Sequence, residues 1–276
     1  MTTGACLQRL HLFSPQPAEM ARFYCATYGL ETRPSGGALL CATSGIEVGF
    51  SQGPINQIKY ALFALDSTAS WQRFLARTAH LAKADTFGMA DLPAGVIGFR
   101  DPDGNLTVFA PPGASSSAAV EPHGLAAVLQ HFALRTNNIG EMLRFYSGEL
   151  GFTVSDRVLD DDRQLKACFL RTNSLHHALA LFGAPVSGFD HQSFETPDWG
   201  TLKSWADRMG DLRTEIVWGV GRHGPGNDVF FMVRDPDGNL AEISSEIETC
   251  ADDRPAGVWR HEEHTLNLWG KAIMRS

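Results

Sequence analysis

The chain lacks a basic cluster, a cysteine-pair motif and any long apolar run, and each absence removes a class of protein. Its 23 Lys and Arg stand against 31 Asp and Glu, for a net charge of −8. No stretch gathers the cations that a phosphate backbone needs, so no nucleic-acid partner is expected. No stretch approaches the ~20 apolar residues of a membrane helix. The opening MTTGACLQRLHLF has no basic start leading into a long apolar run. The expectation is a cytoplasmic chain with no membrane partner. Cysteine is scarce: Cys6, Cys25, Cys41, Cys168 and Cys250, an odd number with no CxxC. That pattern fits isolated reduced thiols better than a disulfide framework. With 276 residues, 43% of them apolar, the chain can build a core of ordinary size. Neither a metal nor a disulfide is needed merely to hold it together.

What the sequence has in quantity is repetition. FRDPDGNLTVFAPP at 99–112 returns as VRDPDGNLAEISSE at 233–246, with Asp101 and Asp235 set 134 residues apart. LQRLHLFSPQPAEMARFYCATYGLE at 7–31 returns as LQHFALRTNNIGEMLRFYSGELGFT at 129–153, offset by 122. The chain is therefore a tandem duplication of a unit of roughly 120–130 residues. The join, PPGASSSAAVEPHG, has linker composition. The division expected is a first domain at 1–112, a linker at 113–126, a second domain at 127–249 and a tail at 250–276. The tail carries Trp259, His261, His264 and Trp269 and reads as a cover packed over the rest.

Each half reads as two βαβββ modules. In the third module the strand LQHFALR precedes a helix with Ile139, Met142, Leu143, Phe145, Tyr146 and Leu150 at helical spacing. Gly151 follows, where a helix end favours positive φ. FTVSDRVL, LKACFLR and HHALALF are the next strands. In the fourth module the helix TPDWGTLKSWADRMG, 196–210, opens on a Thr/Asp cap and is expected to end at Gly210. TEIVWGV, DVFFMVRD and LAEISSE complete it, with DPDGN as a hairpin turn. The fold class expected is α+β: four βαβββ modules in two tandem domains, each a curved mixed sheet enclosing a cavity.

The two halves differ at three places. Aligning the Leu-Gln pairs sets His131 on Arg9, and aligning the DPDGN turns sets Glu242 on Val108. Aligning Phe194 on Phe63 sets His191 on Tyr60. A lone strand histidine is most often an ordinary core residue. Three potential ligands present together in one half and absent from the other is not a pattern that packing asks for. A buried glutamate is costly unpaired but satisfied as a metal ligand. Two imidazoles and a carboxylate take one face of an octahedron and leave the other open, as in non-haem Fe(II) oxygenases.

The segments LQHFALR, FDHQSFE and DPDGNLAEI resemble the three ligand segments of type I extradiol ring-cleavage dioxygenases. These belong to the vicinal oxygen chelate (glyoxalase/bleomycin resistance/dioxygenase) superfamily. The resemblance runs from about residue 7 to 247. It implies two tandem vicinal-oxygen-chelate domains, the first without metal. It implies Fe(II), less often Mn(II), on His131, His191 and Glu242. HHALAL resembles the strand that carries the family's acid/base histidine. His177, 14 residues before His191, matches better than its neighbour His176. GRHGPGN resembles the loop beside the substrate, which implicates His223. The implied partners are an aromatic diol and O2, and the implied assembly is a homo-oligomer. The implied activity is cleavage of a catechol next to its diol to a ring-opened semialdehyde. One position departs from the pattern: Met232 stands ten residues before Glu242, where the family commonly has Tyr. Two alternatives stay open beside the oxygenase, a metal-dependent isomerase, lyase or hydrolase of the same fold and an aromatic-ligand binding protein.

Overall fold

The computed structural model describes residues 2–86, 89–114 and 125–275, so most of the expected linker lies outside the described residues. The first half begins with β1 (Ala5–Ser14), α1 (Pro17–Tyr28), β2 (Glu31–Ser35), β3 (Ala38–Ala42) and β4 (Glu47–Gln52). It continues with β5 (Ile58–Leu65), α2 (Thr68–Arg77), β6 (Ile97–Arg100) and β7 (Leu106–Ala110). The second half begins with β8 (Val128–Thr136), α3 (Ile139–Leu143), β9 (Thr153–Leu159), β10 (Leu165–Arg171) and β11 (Leu179–Gly183). Then come β12 (Gly188–Thr196), α4 (Trp199–Leu212), β13 (Ile216–Arg222), β14 (Val229–Arg234) and β15 (Leu240–Ser245). The tail adds β16 (Gly257–Arg260) and α5 (Glu263–Leu266). Among the described residues no helix is long and apolar enough to cross a membrane.

The strands form two mixed sheets, in the order β2-β3-β4-β1-β5-β7-β6 and β13-β14-β15-β12-β8-β11-β10-β9-β16. This is the α+β fold of paired βαβββ modules that the repeats predict. The helix-bearing faces of the sheets share one core. Phe63 meets Phe152 at 5.5 Å between ring centroids, and Tyr28 meets Phe194 at 5.0 Å. Burying each such ring stabilises the fold by roughly 1.5–3 kcal/mol. The opposite face of the second sheet lines a cavity, whereas that of the first, expected to enclose one too, is filled by Tyr60, Leu62, Leu106, Val108 and Ala110.

The repeated motifs have a structural reason. In each DPDGN turn the first aspartate accepts from the backbone N of the third and fifth residues: Asp103 and Asn105 on Asp101, Asp237 and Asn239 on Asp235. Gly104 and Gly238 take φ of 86° and 84°, which only glycine adopts without strain. Each aspartate then takes a tyrosine from the other half. Tyr146 Oη donates to Asp101 at 2.9 Å, and Tyr24 Oη donates to Asp235 at 3.2 Å. The Arg-Phe-Tyr and DPDGN repeats are two ends of one bond between the halves, made twice.

Three local expectations need correction. The second module has, after α2, only β6, β7 and a single bridge from Ala84 to Gly98 among the described residues, where the pattern predicts three strands. The helix of the fourth module runs past Gly210 to Leu212, and Arg213 takes the left-handed position with φ 56°. Its cap is as expected, with Asp198 accepting from Thr201 N. The helix after β8 is α-helical only over α3 and continues as a π-helical stretch, Arg144–Glu149.

Candidate metal centre

His131 lies on β8, His191 on the adjacent antiparallel β12, and Glu242 on β15, which runs parallel to β12. The pairing of β8 with β12 slips twice, once at Gln130 and once at Asp190. Each bulge residue immediately precedes a histidine. On a regular strand consecutive side chains point to opposite faces, but a bulge brings them round to one side. As a result His131 Nδ1 donates to Gln130 Oε1, and His191 Nδ1 donates to Asp190 Oδ1 at 2.7 Å. The amide orientation of Gln130 is fixed independently, because its Nε2 donates to the His177 carbonyl at 2.5 Å.

With both Nδ1 atoms so engaged as donors, the two Nε2 atoms turn toward each other at 3.3 Å. Glu242 Oε1 adds a third donor 3.8 Å from His131 Nε2. All three donors lie within 4.8 Å of one another and all three residues are buried. Lone pairs of like charge do not converge in a protein interior without something between them. Two ligands bonded at about 2.1 Å and set about 90° apart stand about 3 Å from each other, so the spacing fits a first-row divalent ion. Burial pushes His131 down to about 3, which leaves the ring neutral and free to ligate at neutral pH. Burial pushes Glu242 up, but His223 and the other imidazoles outweigh it and hold the carboxyl at about 2. Ser193 Oγ donates to Glu242 Oε1 at 2.8 Å and fixes its orientation.

Beside these donors opens a narrow cavity walled by Phe169, Phe182, Trp218, Met232 and Leu266, with His177 and His223 on its lining. His177 packs on His131 at 4.2 Å between ring centroids, and burial lowers its pKa well below the ordinary imidazole value. His223 Nδ1 donates to the Leu266 carbonyl at 2.5 Å, and its Nε2 stands 3.4 Å from Glu242 Oε2. Burial opposes its charge, yet Glu242 and Asp228 raise its pKa. Met232 pairs directly with Glu242 across β14 and β15, so the departure at that position borders the site.

A family model described as Glyoxalase/Bleomycin resistance protein/Dioxygenase superfamily matches residues 128–243. Biphenyl-2,3-diol 1,2-dioxygenase 3 of Rhodococcus globerulus is 31% identical over 156 residues, which covers 52% of this chain and 76% of the relative. The chain belongs to that superfamily. Metapyrocatechase 2 of Cupriavidus necator is 28% identical over 249 residues, covering 81% of this chain and 75% of the relative. The crystal structure of homoprotocatechuate 2,3-dioxygenase from Arthrobacter globiformis superposes with a TM-score of 0.78 at 22% identity. That superposition covers 98% of this chain and 88% of the other. The family match thus lies in the second half, and the likeness of fold runs over nearly the whole chain.

Several residues of this superfamily site escape a reading by motif. Gln130 and Asp190 orient the two histidines, and the only signal for them is that each directly precedes one. Arg275 donates to Asp190 at 2.9 Å, with its guanidinium over Phe182 at 5.0 Å and Trp218 at 4.9 Å. Burial would raise the Asp190 carboxyl, but Arg275 and His191 hold it well below the usual range. Asp228 is wholly buried, neither carboxylate oxygen has a hydrogen-bond partner among the described residues, and burial pushes it up to about 7. Arg275 and the Leu266 carbonyl both belong to the tail. No motif in the tail announces a role in the centre.

Proposed function

We propose that this chain is an Fe(II)-dependent extradiol dioxygenase that opens a catechol-type ring next to its diol, using O2, to give a semialdehyde. The observation that carries the reading is the convergence of two bare imidazole Nε2 atoms and one carboxylate on a single open-faced point beside an apolar cavity. His131, His191 and Glu242 would hold the ion. When bound, Fe(II) supplies a common binding point for the two diol oxygens and O2 and a route for electrons between them. Mn(II) suits the same donors.

The chain's own residues do the rest. Phe169, Phe182 and Trp218 give the aromatic ring flat apolar walls and keep water away. His177, neutral and facing the cavity, takes a proton from a diol hydroxyl and returns it to an oxygen later in turnover. His223, stacked on Phe230 at 3.8 Å between ring centroids, is held to donate from Nε2 to a substrate oxygen. The homo-oligomer that the family resemblance implies is read by light scattering on the purified chain.

Met232 supports a second reading, a metal enzyme of the same fold that uses no O2, because no hydroxyl stands at that position. One experiment separates the two. The protein is loaded anaerobically with Fe(II), mixed with a panel of catechols and exposed to air. Oxygen uptake together with a yellow product is the expected result. An iron-loaded protein that consumes no O2 with any diol would overturn the oxygenase reading.

A further inference from the structure

Resting on the reading of His177 as the proton carrier, we propose that Asp156 and His176 are positioning residues that set its tautomer. They hold the proton of His177 on Nδ1, so that Nε2 presents a lone pair to the cavity.

His176 and His177 are consecutive and both buried, and their Nδ1 atoms stand 3.0 Å apart. At that distance two neutral rings share one proton between the facing nitrogens, and which ring owns it decides what His177 offers on its other side. Asp156, on β9, supplies the asymmetry. Its Oδ2 lies 3.2 Å from His176 Nε2 in an off-line approach, and among the described residues no hydrogen-bond partner reaches that nitrogen. The carboxylate is fully buried and anchored from the tail. Trp259 Nε1 donates to it at 2.7 Å, Gly257 N at 3.0 Å and Arg254 Nη1 at 3.1 Å.

A neutral His176 therefore has two choices. With its proton on Nδ1, it would aim a bare Nε2 lone pair at an anion. With its proton on Nε2, it faces that anion favourably and leaves Nδ1 as an acceptor. The second arrangement makes His177 the donor across the 3.0 Å contact and leaves His177 Nε2 bare. The pair can approach its neighbours this closely because Gly226 lies alongside. A Cβ there would come within 3.1 Å of His176 Nδ1 and 2.9 Å of Asp228 Oδ1. In the step itself a diol O–H bond breaks, its electron pair stays on oxygen, and a new N–H bond forms at His177 Nε2. The resulting imidazolium donates from Nδ1 to His176, whose Nε2–H faces Asp156. The positive charge thus has a partner two groups away and out of the substrate's reach.

The test reads the proton directly. The 276-residue chain, 15N-labelled at histidine and loaded with diamagnetic Zn(II) in place of iron, is examined by long-range 1H–15N correlation at pH 8, and the His177 signals are identified by their loss in His177→Gln. The proposal expects Nδ1 protonated and Nε2 bare. Asp156→Asn, whose amide can donate to His176 Nε2, is expected to reverse that pattern. His176→Leu, which fills the buried space but removes the acceptor, serves if Asp156→Asn does not fold. In the Fe(II)-loaded enzyme either change is expected to lower kcat about 10- to 100-fold, with KM and bound iron within about twofold. A wild-type His177 protonated on Nε2 would overturn the proposal, as would an unchanged tautomer and kcat in the variants. Because the tautomer needs no turnover, a wild type that takes up no O2 would defeat the oxygenase reading while the ring assignment still decides the relay.

Discussion

At matched positions of the two sheets, the first half places Arg9, Tyr60 and Val108 where the second half places His131, His191 and Glu242. The backbone beneath is the same. The pairing of β1 with β5 slips at Gln8 and Lys59, the counterparts of the bulges at Gln130 and Asp190. Leu7 pairs with Phe63 as Leu129 pairs with Phe194, and Leu62 pairs with Val108 as Ser193 pairs with Glu242. What fills the position differs. In the first half Arg9 Nη1 donates to Tyr60 Oη at 2.9 Å, and its Nη2 meets Glu47 at 2.6 Å. Tyr60 Oη in turn donates to Asp91, which also faces His11 at 2.9 Å. Asp91 lies on the stretch between α2 and β6, where the second half has β13 instead. The first half carries its cation covalently, as a guanidinium. The second half converges lone pairs and leaves the cation to be bound. One scaffold thus solves the same buried-charge problem twice, and only the second solution leaves an open coordination face for chemistry.

Substitutions sharpen this contrast in opposite currencies, function in one half and stability in the other. His191→Ala removes one of three donors and is expected to abolish iron retention and lower ring cleavage at least about 10³-fold, while circular dichroism and Tm show a folded chain. A variant that kept its iron would break the assignment. Arg9→Met, at the matched sheet, is expected to do the reverse. It leaves Glu47 buried without its cation, strips Tyr60 Oη and the Asp91 carbonyl of their donor, and should cost about 3–5 kcal/mol in urea unfolding, with iron content unchanged. A stable Arg9→Met chain that lost iron would show that the first half is not the merely structural one.

The pairs were legible in sequence to different degrees. The duplication, the four modules and the ligand asymmetry could be read because offsets of 122 and 134 put chemically unlike residues on each other. His177 and His223 were legible through the family resemblance of HHALAL and GRHGPGN. The bulges were not, since a single unpaired residue leaves no mark on apolar alternation, and with them Gln130 and Asp190 stayed hidden. The tail reads as a cover in sequence, but its contacts with the centre stay hidden for another reason. Arg275, Trp259 and Leu266 act across long sequence separations, on Asp190, Asp156 and His223, and Leu266 acts through its backbone carbonyl, which no residue type announces. The end of α4 is not legible, because Gly210 is the obvious stop in sequence, whereas Arg213 takes the left-handed position.

Two smaller effects extend the comparison. Burial raises Asp235 to about 6, above the 3.8 of an ordinary aspartate. The folded chain then holds a proton that the unfolded chain releases, so this group's contribution to stability falls as pH rises from about 4 to about 6, by on the order of 2–3 kcal/mol. Urea titrations of wild type and Asp235→Asn across that range should show the wild type losing ground to the variant as pH rises. A gap that does not change with pH would contradict the raised value. Arg275→Met is expected to loosen the ion by about 10- to 100-fold, because Asp190 then holds His191 less firmly. A competition titration with a fluorescent chelator reads this, and unchanged affinity would reduce Arg275 to a wall of the cavity.

The most direct test of the two-halves account is to crystallise the chain with Mn(II) or Fe(II) and collect data at the metal's absorption edge. The account predicts one anomalous peak per chain, bounded by His131 Nε2, His191 Nε2 and Glu242 Oε1, and none between Arg9 and Tyr60. A peak in the first half, or no peak at the three donors of the second, would contradict it.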